Sequence, residues 1–415
     1  MIIEFSVSNY RSIKTEQTLS MMAENSKNKE DNTFEVTFTN GSKLRLLRSA
    51  IIYGANASGK SNVLKAFYCM RKMISLSRIL SIDEPIKEYE PFIFDKNSKL
   101  NPTFFSITFI EQFVKYRYDF SFNEKEILSE KLDSYPKGQP ANLFQRIKSE
   151  STIQDEIILG TSLKNKPTEK TVLKNQLYLS QFGGKPHELL TNIYRYFGQI
   201  YVTSGNSGTM HIRSIEKKLL NTENQDFKIR LSKLLKIADT KIESISSNIK
   251  DTNNTSRQDI ETLSTHIVYD DNGKEIGEKK LLLQEESVGT NVLFRLGGII
   301  LLCLEKGGII FYDELDNSLH PKLTKFLIRL FQNPVTNKSN AQLVFASHEV
   351  TLLDKEIFRR DQIWFTEKNK YGATELYSAK DVEGVREDTA FDKWYLSGKF
   401  GGEPRIKEIE FIFGN

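Results

Sequence analysis

Residues 2–7 alternate apolar and polar positions, as a strand with one buried face does. Residues 20–40 are polar and rich in turn-forming types, ENSKNKEDN among them, so a flexible surface excursion is expected there. Residues 49–53, SAIIY, form a short apolar run that ends at Gly54, and Val63, Leu64, Phe67, Met70 and Met73 then recur at helical spacing over 62–73. The order is strand, glycine-rich loop, helix. Apolar stretches at 104–109 and 116–122, separated by six residues, predict antiparallel strands and a β-rich lobe. Residues 149–169 are polar and charged, while Phe227, Leu231, Leu234, Leu235 and Ala238 make a helical stripe over 226–238. This stripe is too short for a long coiled coil. Asp270, Asp271, Asn272 and Gly273 carry hairpin-turn chemistry, with strand character returning at 281–283. The last third predicts a helix at 289–304, a buried strand at 309–312, a helix at 321–331, and buried strands at 342–346 and 362–365. Strands alternating with helices imply a mostly parallel sheet.

At 415 residues, 39% hydrophobic and 27% charged, the chain has the composition of a folded protein of two or three units. A net charge of +4 is too mild to establish nucleic-acid binding. Cys69 and Cys303 lie far apart in apolar stretches, which indicates neither a disulfide framework nor a cysteine-based metal site. The opening MIIEFSVSNYRS lacks the basic-then-apolar order of a signal peptide. The longest apolar runs, 296–304 and 308–312, fall short of the roughly 20 residues that cross a bilayer. A cytoplasmic protein without a membrane partner is the expectation.

The sequence GANASGKS, 54–61, matches the phosphate-binding loop pattern in its required place between strand and helix. Gly54 and Gly59 free backbone N–H groups to turn toward phosphate oxygens, Lys60 reaches the terminal phosphates, and Ser61 can ligate Mg²⁺. Asn56, Ala57, Ser58 and Asn62 complete the expected nucleotide contacts. In GGIIFYDE, 307–314, a buried strand delivers two carboxylates at its C-terminal end, where open α/β sheets bind ligands. Asp313 is the expected Mg²⁺ ligand, and Glu314 the base that orients the attacking water.

Further along, EESVGT, 285–290, precedes the acidic strand and resembles the signature motif of ATP-binding-cassette ATPases, in the Ser-x-Gly-Thr form of the chromosome-maintenance, DNA-break-repair and OLD-like branch. That resemblance implies an ABC-type head that binds ATP with Mg²⁺. In such a head Ser287, Gly289 and Thr290 cap the nucleotide held by a second copy, so that a homodimer sandwiches two ATP molecules. It also implies that His348, in FASHE, is a switch histidine beside the terminal phosphate, and that LDNSLHP, 315–321, is the D-loop. Arg11, in FSVSNYRSIK, is the basic residue the resemblance brings toward the nucleotide, and Gln112 is not diagnostic as a Q-loop glutamine.

A closer resemblance rests on YEPFIF at 89–94, KYRYDF at 115–120, DELDNSLHP at 313–321 and YLSGKFGGEP at 395–404. These are similar to the compact ATPases of bacterial anti-phage loci of the RloA and AbiLi type. The resemblance implies an ATPase that controls a separate toxic effector such as a nuclease. A fused nuclease domain needs on the order of 100 residues, and only 415 − 348 = 67 follow His348. The alternative is a RecF-like repair or chromosome-maintenance ATPase, and nucleic acid and oligomers above two stay open as partners. The expected organisation is the first half of the head with an antiparallel lobe in 1–160, a mainly helical insertion in 161–265, and the second half of the head in 266–415.

Overall fold

In the computed structural model, residues 1–204, 209–238, 241–250 and 259–401 are described. The end of the tail motif, 402–404, lies outside them. Six strands form the core sheet, in the order Ile200–Ser204, Ile309–Asp313, Gln342–Ala346, Ser49–Tyr53, Ile363–Lys368 and Thr374–Ser378. The first five are parallel and the last is antiparallel. SAIIY and QLVFA are buried at every position, as strands covered on both faces must be.

The two-residue period of each strand divides the interior in two. Ile52, Phe311, Val344 and Trp364 face the helix Lys60–Leu76, whose Phe67 stacks on Phe311 at 3.8 Å between ring centroids. Ile51, Ile310, Leu343 and Ile363 face the other way, into a core shared with the helices Val288–Lys306 and Pro321–Gln332. By length and composition Val288–Lys306 could cross a bilayer, against the expectation that no segment reaches that length, but 67% of its most apolar 18-residue stretch is buried inside the protein. It is a core helix, made continuous by apolar residues on all sides. Its adjoining Gly297 and Gly298 admit Leu234 and Ile215 of the helices Gln225–Ala238 and Thr209–Leu220, where an added Cβ would collide with those side chains.

The expected β lobe is an eight-stranded sheet that includes Ile2–Ser8 and runs out to Thr171–Leu173. Within it the fully buried Arg146 pairs with Asp155 at 2.7 Å and Glu130 at 3.3 Å. Gln154–Leu159 is a strand of this sheet, although its surroundings read as merely polar.

Residues 20–40 are not a loose excursion. Thr33–Thr37 pairs with Lys43–Leu47, Phe34 and Val36 are buried with Ile3 and Ile110, and the Asn32 amide donates to the Ile357 carbonyl and to Gln362. One short alternation, TFEVT, outweighs the polar residues around it. The insertion also differs from the expected helical unit. Among its described residues it holds four helices, but Ile200–Ser204 is the edge of the core sheet, and Ile242–Lys250 and Asp259–Tyr269 form a separate three-stranded sheet with Glu275–Leu282.

Candidate functional site

The P-loop strand, the strand ending before His348 and the acidic strand are consecutive neighbours in the core sheet. At about 4.8 Å per strand, their C-terminal ends span roughly 10 Å. Gly54 begins the turn, and a Cβ there would lie 2.5 Å from the Thr366 carbonyl. Gly59 holds φ at 116°, and a side chain there would run into Thr374. Ala57 takes a left-handed conformation, φ 64°, at the exposed crest of the loop.

Lys60 is 5% exposed and donates from Nζ to the carbonyls of Gly54 at 2.7 Å and Ala55 at 3.0 Å. Burial lowers its pKa to about 8, against the opposing pull of Asp313, Glu314 and Asp316. Asp313 ends its strand with Oδ1 buried and unpartnered, and Asp316 Oδ1 is in the same state. An orphaned carboxylate oxygen is costly unless a cation or donor meets it. Together with the half-buried Ser61 hydroxyl, Asp313 therefore fits Mg²⁺, which favours hard oxygen ligands. Among the described residues, no group of three or more His, Cys, Asp or Glu could cage a metal. Phosphate oxygens and water would have to supply the remaining ligands.

Glu314 is exposed, adopts a left-handed φ of 58°, and accepts from Asn317 Nδ2 at 3.3 Å. A non-glycine residue in this conformation is sparsely populated and strained. His348 has its pKa lowered, chiefly by desolvation and next by the Lys60 cation, with Asp316, Glu314 and Asp313 acting the other way. Lys60, Asp313, Glu314 and His348 thus share one electrostatic neighbourhood.

A chain of hydroxyls behind the loop had no motif to announce it. Asn62 Nδ2 donates to Ser12 Oγ at 2.6 Å, Ser12 Oγ meets Thr374 Oγ1 at 2.8 Å, and Thr374 Oγ1 donates to the Ser58 carbonyl at 2.9 Å. Ser58 Oγ lies 2.6 Å from Thr366 Oγ1. The N-terminal loop and the last hairpin therefore both brace the phosphate loop. Arg11 is held by an ion pair with Glu90 at 2.7 Å and sits over the Tyr10 ring. Gln112 occupies the two-residue turn between Thr103–Glu111 and Val114–Phe122, φ 48°.

Ser287 is the N-cap of Val288–Lys306, accepting from the Thr290 amide at 3.1 Å. With Gly289 and Thr290 it lines a groove of about 490 Å³ shared with Ser318 and His320 of the 315–321 loop, and no phosphate-loop residue lines that groove. Glu286, just before it, receives hydrogen bonds from Ser264 and His266 of the three-stranded sheet.

No curated protein matches the chain. Residues 49–354, about three quarters of its length, match the family described as an AAA domain associated with the AbiEii toxin and type IV toxin–antitoxin systems. The matched span opens at the phosphate-loop strand and closes just after His348, so it takes in every group that converges on Lys60. The chain belongs to this family of P-loop AAA ATPases, linked to abortive infection and toxin–antitoxin systems.

Proposed function

We propose that this chain is an ATP-binding and ATP-hydrolysing regulatory subunit of a bacterial anti-phage defence system, which dimerises around ATP and controls a separate effector such as a nuclease. One observation carries the ATPase reading: Lys60, Asp313, Glu314 and His348 converge at the ends of three adjacent parallel strands.

Lys60 exchanges its two carbonyl partners for phosphate oxygens, while the amides of the loop cradle the same charge. Ser61 and Asp313 would hold Mg²⁺, which would supply positive charge against the phosphate oxygens. Glu314 orients the attacking water and accepts its proton at the carboxylate, held by Asn317. His348, kept neutral by burial and by Lys60, offers a ring nitrogen to the terminal phosphate or the water.

The dimer reading rests on the placement of Ser287, Gly289 and Thr290. They wall a groove apart from the phosphate loop of their own chain, as residues that cap a second copy's nucleotide would be. The test is the mass of the Glu314→Gln protein by light scattering, with and without ATP and Mg²⁺, beside its rate of phosphate release. We expect hydrolysis to fall by about 10²–10⁴-fold while an ATP-dependent dimer accumulates. Hydrolysis at the native rate would remove Glu314 from the mechanism, and an unchanged mass would remove the sandwich.

A further inference from the structure

A second recess, of about 470 Å³, lies between the helices Gln225–Ala238, Val288–Lys306 and Pro321–Gln332. Leu234, Leu301, Phe326 and Leu330 form its floor. Ile237, near the end of the first helix, and Val335, in the loop after the third, stand at its edges 57% and 72% exposed and adjoin that floor as one apolar patch. Its rim is basic. Arg230 and Lys233 come from the first helix and Lys338 from the loop after the third, and neither lysine makes an ion pair among the described residues. The single acid in the lining, Glu305, is paired with Lys218.

We infer that this groove docks an amphipathic helix with an acidic edge from a different protein, its apolar face on Leu301 and Phe326 and its carboxylates against Lys233 and Lys338. The proposal deepens the regulatory reading above and rests on it for its purpose, though not for the binding event. An apolar floor under a basic rim suits the helix-in-groove mode, with apolar anchors at helical spacing and charge setting the partner. Nucleic acid would meet the lysines but leave that floor uncovered, because phosphate contacts ask for cations rather than leucines.

A second copy of this chain is disfavoured by its own charges. Among the described residues, no helix of eight or more residues carries net negative charge, and Gln225–Ala238 itself bears Lys228, Arg230, Lys233 and Lys236 against Asp226. The groove is also tied to the site. Leu301 and Glu305 sit on the helix whose first turn is capped by Ser287, and Ile237 and Phe326 line this groove and the Ser287 groove alike.

Two synthetic helical peptides test the proposal by fluorescence anisotropy on the full chain without nucleotide. One presents leucines along a face edged with glutamates, and the other has lysines in place of the glutamates. The acidic peptide should bind at least about tenfold tighter, a difference of about 1.4 kcal/mol. Lys233→Glu with Lys338→Glu should reverse that preference, and Val335→Glu, at an exposed position that leaves the fold intact, should abolish binding of the acidic peptide. Equal binding of the two peptides, self-association lost in Val335→Glu, duplex DNA bound in their place, or displacement of the acidic helix by a peptide of residues 402–415 would each overturn it. Repeating the titration with Lys60→Ala separates the two readings, since a chain that fails to handle ATP should still dock the acidic helix.

Discussion

Lys60→Met should make the nucleotide-free protein more stable at pH 7, by a margin that closes by pH 10. The lysine is nearly buried, and its pKa falls from 10.5 to about 8 because desolvation outweighs three nearby carboxylates. That change corresponds to about 3 kcal/mol against the charged form, and solvent reaching the open side of the loop reduces it to about 2 kcal/mol. Methionine keeps the volume but gives up the bonds to the Gly54 and Ala55 carbonyls, which offsets about 1 kcal/mol. The variant should therefore gain about 1 kcal/mol at pH 7. Between pH 8 and 10.5 the unfolded chain holds a proton at this position that the folded chain has released, so wild-type stability rises with pH across the window. At pH 10, still below 10.5, about 0.8 kcal/mol of that penalty remains and nearly balances the lost hydrogen bonds, so the variant's advantage should have closed to about zero. Urea midpoints of the two proteins at matched slope would measure the closing gap. Other titrating groups are common to both and cancel in the difference. A gap between the two proteins that is constant from pH 7 to pH 10 would refute the assignment of a strained, charged lysine, as would a variant clearly weaker at pH 7.

His348 stays neutral to lower pH than an ordinary histidine, because burial and then the Lys60 cation lower its pKa. If hydrolysis uses the neutral ring, the acid limb of kcat/KM, which reports the free enzyme, lies below pH 6.5 and disappears in His348→Gln; a limb at or above 6.5, or one that persists in the variant, rules out this role. Phe67→Ala empties the contact that joins the phosphate-loop helix to the acidic strand through Phe311, so it should cost about 3–5 kcal/mol in urea unfolding. A loss below about 1 kcal/mol would mean that the stack carries little of the core.

The parts of the site that were legible in the sequence are those whose chemistry forces a fixed local pattern. A phosphate loop needs glycines where side chains would strike Thr366 and Thr374, and it needs its lysine at the start of a helix. Buried parallel strands likewise show as unbroken apolar runs, and SAIIY and QLVFA could be read directly. Partners distant along the chain left no such trace. Ser12 and Thr374, 362 positions apart, are unremarkable hydroxyls until the fold brings them to 2.8 Å. Ile200–Ser204 gives no clear signal because it is an edge strand embedded among helices, and residues 20–40 read as a surface excursion because their polar run is longer than the alternation that buries Phe34 and Val36.

Gly297 and Gly298 have a role that periodicity alone would miss. Two glycines in the interior of an apolar helix each cost about 1 kcal/mol relative to alanine. They are retained where Leu234 and Ile215 press into the space a Cβ would fill. The basic helix Gln225–Ala238 is therefore seated directly on the backbone of the Ser287-capped helix, with no side chain of those glycines between to yield. Packed contacts of this kind shift between discrete arrangements rather than deform smoothly. A displacement of the basic helix by a docked partner would reach the start of the capped helix as a rigid movement, and a movement imposed at Ser287 would reach the groove by the same route. By linkage, whatever free energy couples the two sites acts equally in both directions.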